Sequence, residues 1–174
     1  MANKDQPLGF RPYGGIAANG VRPMQAQTYN VSTAPVICIY DVVARADDGY
    51  VDTAAAQSVY ILGCALTPRL TTDSAAKTIL VVHDPHQLYE AQADEDDLST
   101  ITVVGNNADH IANTGSTINY ISKQEIDSST VTAGAAGFHI WGKVDKIDND
   151  WGEFVDVIVS PYEGMFSAGG TGYV

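Results

Sequence analysis

The sequence predicts a mainly β chain, folded as a compact β-barrel or β-sandwich with at most one short helix and extended N- and C-terminal arms. Three observations predict it. Short apolar runs rich in β-branched residues recur through the middle of the chain, each closed by Gly, Pro, Asn or Asp. Both ends lack periodicity and are rich in glycine. Apolar residues make up 45% of the 174-residue chain and charged residues only 17%, enough core for one domain to fold without staples. The organisation expected is an arm over residues 1–30, a β-rich core over 31–160 and a second arm over 161–174.

Each element has a local reason. Residues 1–23 hold Pro7, Gly9, Pro12, Gly14, Gly15, Gly20 and Pro23, a density that forbids a long helix and predicts an extended segment with a turn at Asn19-Gly20. Residues 36–43 are nearly all apolar and β-branched, which predicts a buried strand, and Asp47-Asp48-Gly49 then turns the chain. Residues 58–65 and 78–82 predict two more strands, the second stopped by Asp84-Pro85, and residues 87–93 a fourth. Residues 94–97 read as a solvated acidic loop. Leu98, Ile101, Val104, Ala108 and Ile111 recur at three- and four-residue spacing, which predicts one short helix broken near Gly105-Asn106. Residues 118–126 predict another strand. Phe138, Ile140, Gly142 and Val144 alternate with His139, Trp141, Lys143 and Asp145, a period of two. A turn over residues 148–152 leads to a last strand with Val155, Val157 and Val159 on one face.

Composition excludes several function classes. The net charge is −12, and phosphate contacts need basic clusters, so a nucleic-acid partner is not expected. The charge is uneven: Lys4, Arg11, Arg22 and Arg45 against Asp5 and Asp41 give residues 1–45 a net of +2, which leaves −14 for the rest. No apolar run is long enough to span a membrane, and the opening ten residues lack the apolar stretch of a secretory signal. Cys38 and Cys64 sit inside apolar runs, where a free thiol behaves as a small inert hydrophobe. A protein made and folded in a reducing cytoplasm is expected.

Motifs for chemistry are sparse. His83-Asp84-Pro85-His86 is the densest set of potential metal ligands, but a surface turn explains it better than a two-His site. Asp145, Asp148, Asp150 and Glu153 miss the spacing of a calcium loop and fit a hairpin turn. Trp141 and Trp151 fit packing at that turn better than a stacking platform. No phosphate loop, dinucleotide fingerprint or nucleophile elbow occurs in the sequence. The expectation is a protein without catalytic residues, cofactor or metal, binding through surface area.

Ala2 to Pro12 (Ala-Asn-Lys-Asp-Gln-Pro-Leu-Gly-Phe-Arg-Pro) resembles the leader of the head decoration, or capsid cement, proteins of tailed bacteriophages. Ile61-Leu62-Gly63, the stretch Tyr89 to Asp94, Val104 to Asp109, Gly115-Ser116-Thr117, Asp127 to Thr130 and Asp148 to Gly152 continue the resemblance in order along nearly the whole chain. The segment after Pro161 is a departure, since such proteins often lack it. The resemblance implies a β-rich structural protein on the outer surface of the phage head, bridging capsomers, commonly as a trimer, with the major capsid protein and itself as partners. Phe10, Arg11 and Pro12 are then the expected capsid contacts, and Tyr162 and Phe166 the expected oligomer or capsid contacts. The alternatives are another virion accessory, such as a tail or receptor-binding module, and a small glycan hydrolase using two of the many acids.

Overall fold

A computed structural model describes residues 3–15, 24–31, 36–56, 60–73, 77–96, 98 and 101–163. The Asn19-Gly20 turn and Phe166 lie outside the described residues. The protein is mainly β. In chain order the strands are β1 (Arg11–Gly15), β2 (Ala26–Val31), β3 (Val42–Arg45), β4 (Val51–Thr53), β5 (Ile61–Ala65), β6 (Lys77–Val82), β7 (Gln87–Gln92), β8 (Asn107–Ala108), β9 (His110–Ile111), β10 (Glu125–Ile126), β11 (Phe138–Lys143) and β12 (Asp156–Pro161).

Five strands close into a barrel in the order β2-β4-β3-β5-β6. A second, five-stranded sheet runs β1-β7-β12-β11-β8, and β9 and β10 form a two-stranded pair. Alternation explains the layering. Val31, Val43, Val51, Leu62, Ala65, Ile79 and Val81 point into the barrel and fill it with Ile37. Val42, Ile61, Cys64 and Val82 point out of the same wall and meet Tyr89, Ala91, Phe138, Ile140, Val157 and Val159 from the inner face of the open sheet. All five residues of β5 are therefore buried, which is why its sequence is a continuous apolar run rather than an alternating one.

Gly63 is where that double burial is tightest. It lies at φ +153°, and a Cβ there would fall 1.6 Å from the Val82 carbonyl oxygen on β6. The β3–β5 register slips beside it, so Val43 faces Gly63 and Ala44 faces Ile61.

Four expectations need correction. Residues 3–15 do not leave the body as an arm. β1 pairs antiparallel with β7, and Phe10 is fully buried, its amide donating to the Tyr40 carbonyl at 2.9 Å. The run 36–43 is not one strand. Cys38 to Asp41 form a turn in which the Asp41 carboxylate accepts the Cys38 amide at 2.6 Å and Tyr40 sits at φ +70°, so regular pairing begins only at Val42. Among the described residues of 98–111 there is no α-helix. They hold a 3-10 turn at Ile101–Val103 followed by β8 and β9, and Ile101 is exposed, so its apolar spacing marks no buried helix face. Likewise only Glu125–Ile126 of the expected strand over 118–126 pairs as one, and Ile118 is exposed.

Candidate interaction surface

The outer face of the open sheet carries the most distinctive side chains. On β11, Phe138 and Ile140 enter the core, so His139 and Trp141 point the other way. The β11–β12 register shifts between Ile140 and Gly142, and Trp141 is the extra residue of that bulge. Its indole is 48% exposed and its Nε1 donates to Ser160 Oγ at 2.9 Å. The His139 ring lies edge-on to Trp141 with centroids 5.0 Å apart, and near-parallel to Tyr162 at 6.5 Å. His139 Nδ1 is 2.8 Å from Asn107 Oδ1 on β8. Partial burial pushes its imidazole below the usual pKa. The rings are thus held in place by Ser160 and Asn107 before anything binds. A large, rigid, half-exposed aromatic row on a sheet is the composition of an interface anchor.

The other half of this face is polar. Arg11 stands opposite Glu90 in register, Nη2 to Oε1 at 2.5 Å. Lys146 reaches the same Glu90 oxygen at 3.4 Å and also pairs with Asp156. These groups line a cleft of about 290 Å³ between the N-terminal segment and the sheet. The loop from β11 to β12 that forms its floor is knitted by Asn149, whose Nδ2 donates to the carbonyls of Val144 and Asp156 at 2.8 and 2.9 Å while Oδ1 accepts the Asp156 amide at 2.9 Å. Asn149 carried no signal in the sequence beyond membership of a turn.

The sequence-predicted residues divide accordingly. Phe10 is in the core, stacked on Phe138, and its side chain is withdrawn from any external contact. Arg11 is partly exposed on the outer face beside its Glu90 partner, and Pro12 is half-buried in β1 opposite Tyr89. Tyr162 joins the aromatic row. Trp141 departs from the packing role expected for it, whereas Trp151 packs against the core. The strict alternation over residues 138–144 was the signal that could have placed Trp141 outside.

Two of the remaining acids tie turns. Asp84 Oδ1 accepts the His86 amide at 2.9 Å and ties the turn before β7. Asp94 Oδ1 accepts the amides of Asp96 and Ser128 at 3.3 and 3.2 Å. Cys38 and Cys64 are buried free thiols, and burial pushes Cys38 up to about 11 and Cys64 higher still. Among the described residues no three His, Cys, Asp or Glu side chains come together as a metal site. No family model, no curated protein and no solved structure matches the chain.

Proposed function

We propose that this chain is a structural virion protein that binds the outer surface of a tailed-phage head, stabilises contacts between capsomers as a trimer, and acts by binding rather than by catalysis. The major capsid protein and further copies of the chain are its partners, and it is made in the host cytoplasm. The resemblance along the sequence supports this reading, and the observation that carries it is the pre-oriented row His139, Trp141 and Tyr162 on an open sheet face. The row supplies apolar anchors, and the neighbouring Arg11–Glu90–Lys146 pairs supply a polar rim. Three such faces on one trimer multiply modest single-site affinities through effective concentration. A clamp of this kind stabilises the lattice state that it binds best. The acidic body calls for a cationic footprint on the lattice, which makes association salt-dependent.

The test is co-sedimentation with mature heads. Wild type pellets with heads, and Trp141→Ala stays folded yet loses at least about tenfold in affinity, the scale of an interface anchor. Normal binding by Trp141→Ala would remove the aromatic face from the contact. Wild type that labels the tail instead of the head lattice would favour the accessory role.

A further inference from the structure

The N-terminal strap is fastened at several points. Asn3 Nδ2 donates to the Asp150 and Glu153 carbonyls at 2.7 and 2.8 Å, and its Oδ1 accepts the Asp150 amide at 2.9 Å. The Gln6 amide donates to Gln92 Oε1 at 2.8 Å, and Gln92 Nε2 donates to the Lys4 carbonyl at 3.0 Å. Phe10 then plugs the core. Between these fastenings, residues 5–7 of the strap border an open cleft whose other side holds Glu125 and Asn113.

Glu125 is 8% exposed, yet its hydrogen-bonding partner is neutral: Asn113 Nδ2 donates to Oε2 at 2.9 Å. The charges acting on it come from two places. Asp5 belongs to the strap, Asp94 and Glu95 to the acidic loop after β7, and all three oppose its ionisation. Lys123, on the same hairpin, is the cation lining the cleft and is exposed to solvent. Lys4 lines the other cleft, with Arg11 and Lys146.

We propose that this cluster makes the strap a proton-operated latch: with Glu125 protonated the strap stays seated, and loss of that proton sets Glu125 against Asp5 and loosens residues 3–8 while Phe10 keeps the chain anchored. Burial, then the neighbouring acids, push the Glu125 carboxyl up to about 7. Freed of the strap, Glu125 loses the Asp5 charge and moves down from there toward its ordinary value, while Asp94 and Glu95 still act on it. The seated state therefore holds the extra proton between the lower, released value and about 7. Release grows as pH rises through that window, by at most about tenfold per pH unit, and levels off above it. The device goes beyond the docking reading and needs no capsid.

Amide hydrogen exchange on the isolated protein, corrected for intrinsic rates, tests it between pH 5 and pH 8. The Gln6 amide reports the strap and the Phe10 amide, bonded to Tyr40, reports the anchor. Protection at Gln6 should fall about tenfold or more across the range in wild type, stay level in Glu125→Gln, and fall less in Asp5→Asn. Protection at Phe10 should hold in all three. A level Gln6 profile in wild type, an equally steep one in Glu125→Gln, or parallel loss at Phe10 would overturn the latch. Because heads are absent from the experiment, none of these results bears on capsid docking.

Discussion

The Phe10 ring stacks on Phe138, with centroids 4.5 Å apart and planes 25° from parallel, and His110 stands edge-on to both. The contact joins the N-terminal segment to β11 across the main core, so the leader is part of the fold rather than an appendage. Phe10→Ala should cost about 3–5 kcal/mol, as expected for a fully buried aromatic. Denaturant midpoints check this. A loss below about 1 kcal/mol would mean that the segment docks only loosely.

Arg11 is the opposite case. Its pair with Glu90 is partly solvent-screened, and Glu90 keeps Lys146 if Arg11 is removed. Arg11→Ala should therefore cost less than about 1 kcal/mol in thermal unfolding. If Arg11 also meets the lattice, the same variant binds heads more weakly at low salt and converges on wild type at high salt.

Gly63→Ala should be poorly tolerated, because the new methyl collides with the Val82 carbonyl rather than with a side chain that could move. A loss of several kcal/mol, or no soluble protein, is expected. Gly142→Ala is the matched control on the outer face, where a Cβ meets nothing within 4 Å. It should stay within about 0.5 kcal/mol of wild type.

His110 sets an acid limit. It is fully buried against the two phenylalanines, with Nε2 3.3 Å from the Ala54 carbonyl, and burial holds its pKa below the ordinary 6.5. The unfolded chain thus takes up a proton at a higher pH than the folded one does. That contribution to stability is intact above about 6.5 and is lost as pH falls from there toward the folded-state value. His110→Gln should lower stability near neutrality but flatten this slope. Thermal melts between pH 7 and pH 5 decide it, and an unchanged slope would clear His110 of the effect.

Much of the fold was legible in the sequence where burial is simple. β7, β11 and β12 lie close to their predicted positions, because one wet and one dry face print a period of two, and β6 was legible as a short apolar run. β5 was legible for the converse reason, both faces being dry. β2 escaped notice, since five of its six residues are not buried and only Val31, with partly buried Tyr29 beside it, packs on the barrel core. The break at residues 38–41 depends on the Asp41 side chain, and the burial of Phe10 on contacts 128 residues away in Phe138, neither of which leaves a local pattern. The candidate surface was half legible. Tyr162 was singled out and the alternation of β11 set Trp141 opposite Phe138 and Ile140, whereas the Glu125 cleft needed three distant segments to meet.

The irregular course of β1 has a consequence for the behaviour of the protein at high concentration. Its register slips between Pro12 and Gly14, and Tyr13 is half-exposed at that slip. Pro12 has no amide hydrogen to offer a further strand, and the bulge breaks the even comb of donors and acceptors that an incoming chain would need. This edge of the sheet is thus a poor template for ribbon-like polymerisation, and fibrils seeded through β1 are not expected in crowded solutions.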